Sequence, residues 1–257
     1  MNAALETRGL TIRFGGQVAV DGVSCAFHPG TLTAIVGPNG AGKTTYFNLI
    51  SGQLRASAGQ VMLAGTDITR LGAPARARLG LGRAFQLTNL FPDLSVGENV
   101  RLAVQARAGV GLHFLGLATD RTELTDRAMG YLQQVKLAER AAVPAAALSH
   151  GDQRKLEVAI LLALEPEIFM FDEPTAGMGV DEVPTVLDLI AGIKAMGTKT
   201  ILLVEHKMDV VRRLADRVIV LHNGALVADG EPEAVVASPV VQEAYLGVRP
   251  DEEGADA

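Results

Sequence analysis

This sequence predicts an α/β fold built on a parallel sheet, and three observations predict it. A compact apolar strand, LTAIVG at 32–37, runs into a glycine-rich loop and then a helical pattern from Lys43 to about Ile50. Further on, strand-like and helix-like runs alternate at 167–172, 180–196, 200–204, 207–215 and 217–221. That rhythm marks βαβ units, whose crossovers make neighbouring strands parallel. The strand at 32–37 is compact and apolar, which suits burial on both faces.

The remaining elements follow in order. Residues 5–36 hold short β-like runs, LTIRFGG and VSCAFHPG, each ended by glycine or proline. GQVMLAGTDIT, 59–69, reads as a hairpin-like pair. From Ser95 to about Leu137 the period is helical, and Ser95 with Glu98 three positions on forms a capping box. GVGLHFLGLA, 109–118, is unusually apolar for a connection. In LSHGDQRKLEVA, 148–159, Ser149 is an N-cap and Gly151 belongs to the tight turn that opens a helix. The acidic, small-residue tail 248–257 is expected to be flexible. No internal repeat is visible.

Composition narrows the function classes. The 257 residues can bury a core without staples, and 48% are apolar. Cys25 is the only cysteine, so no internal disulfide forms, which fits a reducing cytoplasm. The 23 basic and 29 acidic residues leave a formal charge of −6, which argues against nucleic acid as a partner. The opening MNAALETRGL is mixed and does not read as a signal segment. No apolar run reaches the roughly 18 residues that a membrane span needs. The longest candidate, 156–171, is broken by Glu157, Glu165, Pro166 and Glu167.

The chemistry is carried by GPNGAGKTT, 37–45, which fits G-x-x-x-x-G-K-[ST] through Gly37, Gly42, Lys43 and Thr44. A triphosphate must be ringed by backbone N–H groups, so Gly37, Pro38, Asn39, Gly40, Ala41 and Gly42 form a loop with few side chains in the way. The helix beginning at Lys43, Thr44 and Thr45 points its positive end at the same anion. Lys43 adds a mobile charge at the β and γ phosphates, and the Thr44 hydroxyl can ligate Mg²⁺. In IFMFDE, 168–173, a buried strand ends in Asp172, placed to hold Mg²⁺, and Glu173, placed to polarise water. TILLVEH, 200–206, ends in His206, a candidate γ-phosphate contact, and GLGRAFQ ends in Gln86.

Together these residues resemble the ATP-binding subunits of ABC transporters, from about Leu5 to Gly247, with the motifs in the same order. The resemblance implies a single ATP-binding domain, 1–247: a P-loop NTPase core with a parallel sheet, an N-terminal antiparallel β subdomain and a helical subdomain near 87–150. Phe14 falls where an aromatic stacks on adenine, Gln86 at the glutamine loop that organises Mg²⁺, and His206 at the switch histidine. LSHGDQ falls at the signature sequence. Its Ser149 and Gly151 are thereby implied to grip ATP held by a second ATP-binding subunit, a copy of this chain or a different one. His150 and Asp152 replace the usual glycine and glutamine there, and Asp152 brings a negative charge close to a polyphosphate. Gly179 stands where many relatives have aspartate.

GLGRAFQLTNLFPDLSVGENV, the segment 101–120, AGMG after Glu173, and VVQEAYLG at the end resemble the larger ATPase of branched-chain amino-acid importers. That family also handles other amino acids, urea and amides. Two membrane permeases, an extracytoplasmic binding protein and the cytoplasmic face of the inner membrane are implied with it. The lipopolysaccharide-exporter ATPase shares the YLG ending, but is shorter near 101–120. Soluble ABC ATPases that act on DNA or ribosomes usually carry two cassettes or a coiled-coil insertion, and this chain has one phosphate loop. The apolar 109–118 stretch either packs on the helical core or forms a lip against a permease.

Overall fold

The computed structural model describes residues 3–84, 90–109 and 118–246. In chain order the elements are β1 (Leu5–Phe14), β2 (Gln17–Phe27), β3 (Leu32–Val36), α1 (Lys43–Ser51), β4 (Ala58–Leu63), β5 (Thr66–Asp67) and α2 (Ala73–Arg78). Then come β6 (Leu81–Ala84), α3 (Val96–Arg107), α4 (Ala118–Gln134), α5 (His150–Ala163) and β7 (Ile168–Asp172). The chain continues through α6 (Val183–Ala195), β8 (Thr200–Val204), α7 (Met208–Leu214), β9 (Arg217–His222) and β10 (Ala225–Gly230). It closes with α8 (Pro232–Val236) and α9 (Pro239–Leu246).

Two sheets form. The larger has the order β10-β9-β3-β8-β7-β6, parallel except for the antiparallel edge strand β10. The smaller, β2-β1-β4-β5, is antiparallel and includes the hairpin expected at 59–69. Strands β3, β7 and β8 are buried along their whole length, and alternation explains why apolar runs suit them. Ile35, Met170, Leu202 and Val204 pack with α1 and the small sheet. Leu32, Phe169, Phe171, Ile201 and Leu203 face the opposite way, toward α3, α5 and α6. Helix α1 therefore lies between the two sheets, and its position is set by both.

The far end of α1 is held by a buried cation. Gly52 closes the helix in the left-handed region at φ +81°, and Arg76, 2% exposed, lies against it. Arg76 donates only to main-chain carbonyls: Leu49 (2.8 Å), Ile50 (2.6 Å), Thr69 (2.9 Å) and Leu71 (2.9 Å). Two of these lie in the last turn of α1, at the helix's negative end, where a cation is favoured. Burial pulls the Arg76 pKa down to about 10, so the guanidinium stays charged at neutral pH. Replacing it with methionine keeps much of the volume but leaves four carbonyls without their donor. Arg76→Met is expected to cost about 2–4 kcal/mol in denaturant unfolding. A loss below about 0.5 kcal/mol would show that water replaces it at no cost.

The helical region predicted from Ser95 begins as read. The Ser95 hydroxyl accepts from the Glu98 N–H at 3.1 Å, and the Glu98 carboxylate takes the Ser95 N–H in return. Of the described parts of 101–120, residues 101–107 belong to α3, 108–109 form a turn and 118–120 begin α4. Residues 110–117, most of the apolar stretch, lie outside the described residues, as do Gln86 and the tail beyond Leu246. Among the described residues no helix is long and apolar enough to cross a membrane.

Candidate functional site

Three adjacent parallel strands, β3, β8 and β7, end in register at one edge of the large sheet. Ile35 pairs with Val204, and Val204 with Asp172. The loops leaving these ends carry GPNGAGKTT, Glu205–His206 and Glu173, and in open parallel sheets ligands bind outside such carboxyl ends. The sequence motifs, far apart in the chain, meet here because their strands are neighbours.

The 37–42 loop is a built cradle. Gly37 and Gly42 have φ of +151° and +96°. A Cβ on either would lie 2.1 Å from the Leu221 carbonyl oxygen or 2.4 Å from that of Ala19. Only glycine fits these positions. The loop is braced by a tight turn between β9 and β10. Asn223 and Gly224 both have positive φ, +48° and +80°, as a two-residue hairpin of the primed type requires. The Gly224 N–H donates to the Ala41 carbonyl (3.0 Å), and its own carbonyl accepts from the Asp21 N–H (2.8 Å).

An open cleft of about 560 Å³ lies over this loop. Its floor is Asn39 to Thr45, and its walls include Phe14, Asn223 and Glu173. Phe14, at the end of β1, is 52% exposed, so an aromatic face is offered to the cleft without being committed to the core. Lys43 is only 7% exposed and folds back, its ammonium donating to the Gly37 (2.7 Å) and Pro38 (3.0 Å) carbonyls. Burial lowers the Lys43 pKa, while the negative charges of Glu173 and Asp172 oppose the shift.

Asp172 is buried and held from one side. Arg83 on β6 donates to its Oδ2 at 2.8 Å, while its Oδ1, also buried, has no hydrogen-bond partner among the described residues. Burial raises the Asp172 pKa, against the charge and hydrogen bond of Arg83. Arg83 itself is fixed by Asn48 Oδ1 (2.6 Å), Ser51 Oγ (2.9 Å) and the Phe47 ring, 4.8 Å below its guanidinium. One carboxylate oxygen is thus neutralised and aimed, and the other is left for a cation. A buried acceptor without a donor costs free energy that a bound metal or water would remove. No cluster of three or more His, Cys, Asp or Glu gathers among the described residues. Mg²⁺ does not require one, since it is commonly held by one or two carboxylates, phosphates and water. The donor set of Asp172 Oδ1 and the exposed Thr44 hydroxyl fits such an ion.

Glu173 sits at φ +47°, a left-handed backbone that costs energy for a residue with a Cβ. Its N–H is fastened to the Val204 carbonyl at 2.9 Å. Its Oε1 lies 3.8 Å from Nδ1 of His206, which is half exposed. The two side chains thus stand side by side, with Glu173 on the wall of the cleft.

Ser149 caps α5 as read, its hydroxyl accepting from the Asp152 N–H at 3.2 Å. Ser149 and Gly151 do not line the cleft. The negative charge expected at Asp152 is taken up sideways, by Arg140 (2.7 Å) and Lys155 (2.9 Å). The Glu182 carboxylate lies so close to Gly151 that a Cβ there would be 2.0 Å from Oε2, which also accepts the Gly179 N–H at 3.1 Å. Arg83, Asn223, Gly224 and Glu182 were not singled out from sequence; the Asn-Gly pair was the signal available for the turn.

A glycine cradle on a helix N-terminus, a buried lysine and a metal-ready aspartate at parallel strand ends define a phosphate-loop nucleotide-binding protein. Comparison with known proteins narrows the class. The family model described as ABC transporter matches residues 20–176, and that described as branched-chain amino acid ATP-binding cassette transporter matches 225–251. The chain is 38% identical over 249 residues to the high-affinity branched-chain amino acid transport ATP-binding protein LivG of Escherichia coli K12, covering 95% of this chain and 97% of LivG. It is 37% identical over 250 residues to BraF of Pseudomonas aeruginosa, with the same coverage. The crystal structure of the ADP conformation of MJ1267, an ATP-binding cassette of an ABC transporter, aligns at a TM-score of 0.80 and 28% identity, covering 96% of this chain and all of that one. The chain therefore belongs to the ATP-binding subunits of ABC transporters, and it is an ATPase of that family.

Proposed function

We propose that this chain powers an importer of branched-chain or related amino acids, as the larger of its ATPase subunits. The observation that carries the site reading is the convergence, at the ends of three neighbouring strands, of the phosphate loop after β3, Asp172 and Glu173 at the end of β7, and His206 after β8. The likeness to LivG and BraF over nearly the whole chain, and the C-terminal match at 225–251, favour the importer over an exporter or a soluble ATPase.

In this reading residues 1–247 work as one cassette. Phe14 stacks on adenine. The loop amides of residues 37–42, with Lys43, Thr44 and Thr45, hold the phosphates. Asp172, Thr44 and Gln86 would hold Mg²⁺, which when bound neutralises charge on the transferring phosphoryl group. Glu173 orients and polarises the attacking water, and His206 donates to the γ-phosphate. Ser149 and Gly151 turn their helix end toward the ATP of a second ATP-binding subunit, which explains why they lie apart from this chain's own cleft. The closed pair works on two membrane permeases from the cytoplasmic face of the inner membrane, and an extracytoplasmic binding protein delivers the substrate.

The loop after Glu173 connects the two halves of the site, so Gly179 bears on their coupling. A Cβ at Gly179 meets only Glu182 Oε2, at 3.6 Å, and Gly179→Asp is expected to fold. It sets a second carboxylate against the one resting on Gly151. The Hill coefficient for ATP should change while affinity does not; an unchanged coefficient counts against this coupling.

The transport reading is tested by uptake and by partners. Cells lacking the chain should regain leucine uptake with the wild type and not with Lys43→Ala. Purification of Glu173→Gln from native membranes in ATP should bring down two different multi-span permeases and a second ATPase. Two copies of this chain with export-type membrane subunits, or ribosomal or repair proteins without any membrane subunit, would overturn the importer reading.

A further inference from the structure

Glu205 is the last residue before His206 and is fully buried, at 0% exposure. A carboxylate without water is costly unless its oxygens are satisfied, and here three donors satisfy them. Oε1 accepts from the Thr175 hydroxyl at 2.8 Å. Oε2 accepts from the main-chain N–H groups of His206 (2.8 Å) and Lys207 (3.1 Å). Thr175, two positions after Glu173, is itself 1% exposed. The end of β8 therefore grips the strained Glu173 turn twice, through Val204 C=O on the Glu173 N–H and through Glu205 on Thr175.

The same carboxylate shapes the other loop. By taking two successive N–H groups it fixes the backbone that carries the imidazole, and Oε2 lies 3.6 Å from His206 Nδ1. Nδ1 is the ring nitrogen nearer both carboxylates, 3.8 Å from Glu173 Oε1. Nε2 is thereby the nitrogen turned away from them. An aliphatic residue at 205 would continue the apolar run of β8 without any desolvation cost, yet it would give up the bond to Thr175 and both bonds to the His206 loop.

We propose that Glu205 is a positioning residue for ATP hydrolysis: through Thr175 it locks the Glu173 turn to the His206 loop, so that the two side chains meet the γ-phosphate as one unit. The proposal rests on the reading of Glu173 and His206 as the hydrolytic pair. Neither Glu205 nor Thr175 lines the nucleotide cleft, so the effect falls on turnover and not on binding.

The test uses the membrane complex purified through this chain, with hydrolysis followed as phosphate release and binding as displacement of a fluorescent ATP analogue. Thr175→Val removes the hydroxyl at nearly constant volume and should lower kcat roughly 10- to 100-fold, the scale of a small misplacement of reacting groups. ATP affinity should stay at the wild-type level. Thr175→Ser, which restores the hydroxyl, should recover most of the rate. Glu205→Leu, which can neither accept nor donate, should give a similar loss, and the double variant no more than the larger single one, because both cut one link. The proposal is overturned if Thr175→Val keeps the wild-type kcat, if affinity and kcat fall in parallel, or if serine fails to rescue. The underlying reading fails separately: Glu173→Gln and His206→Ala would then turn over at the wild-type rate.

Discussion

Glu173→Gln should bind ATP as tightly as the wild type and hydrolyse it at least about 100-fold more slowly, the usual scale for losing a positioned base. The amide keeps the size and shape of the side chain, so the left-handed turn at φ +47° and its bond to Val204 are undisturbed. What is lost is a negative charge able to attract a proton from water at the cleft rim. Removing that charge also lessens repulsion of the phosphates, so affinity does not fall. Phosphate release and retention of labelled ATP on the purified complex read both effects. Hydrolysis at the wild-type rate would show that another group acts on water.

Lys43→Ala should fail at the earlier step. Lys43 is buried against its own loop, with its ammonium 2.7 Å from the Gly37 carbonyl, and a polyanion entering the cleft offers it better partners. Charge-assisted hydrogen bonds of this kind are worth about 2–3 kcal/mol, so ATP affinity should fall roughly 30- to 150-fold, and turnover with it. Titration of the complex with a fluorescent nucleotide separates this variant from Glu173→Gln, which keeps its affinity. An affinity within about twofold of the wild type would mean that the loop amides alone hold the phosphates.

The site was legible in the sequence to different depths. GPNGAGKTT is a local device: a strand, a bend only glycine can make and a helix start lie within a few residues, and each was read correctly. Ser149 as a cap and the Ser95–Glu98 box are local in the same sense. Arg83 was not legible, because its partner Asp172 is 89 positions away and the two meet only when β6 pairs with β7. Glu205 was not legible either. Its role depends on Thr175, 30 positions earlier, and on β7 lying beside β8. The antiparallel edge strand β10 was missed although Asn223-Gly224 announced its hairpin.

Charge shows the same limit. From sequence, Asp152 in the signature turn reads as a threat to phosphate binding. In the fold its two oxygens are held by Arg140 and Lys155, and the turn keeps the cap geometry of Ser149. A single residue's sign says little until its neighbours across the fold are known.

The central claim is that the nucleotide is held between the phosphate loop of one ATPase subunit and the LSHG turn of another. A cryo-EM structure of the Glu173→Gln membrane complex with Mg·ATP measures this directly. The account predicts the Ser149 hydroxyl and the Gly151 N–H within about 3 Å of a γ-phosphate held by Lys43 or the matching lysine of the second ATPase. A nucleotide contacted by only one subunit, with both LSHG turns facing solvent, would contradict it.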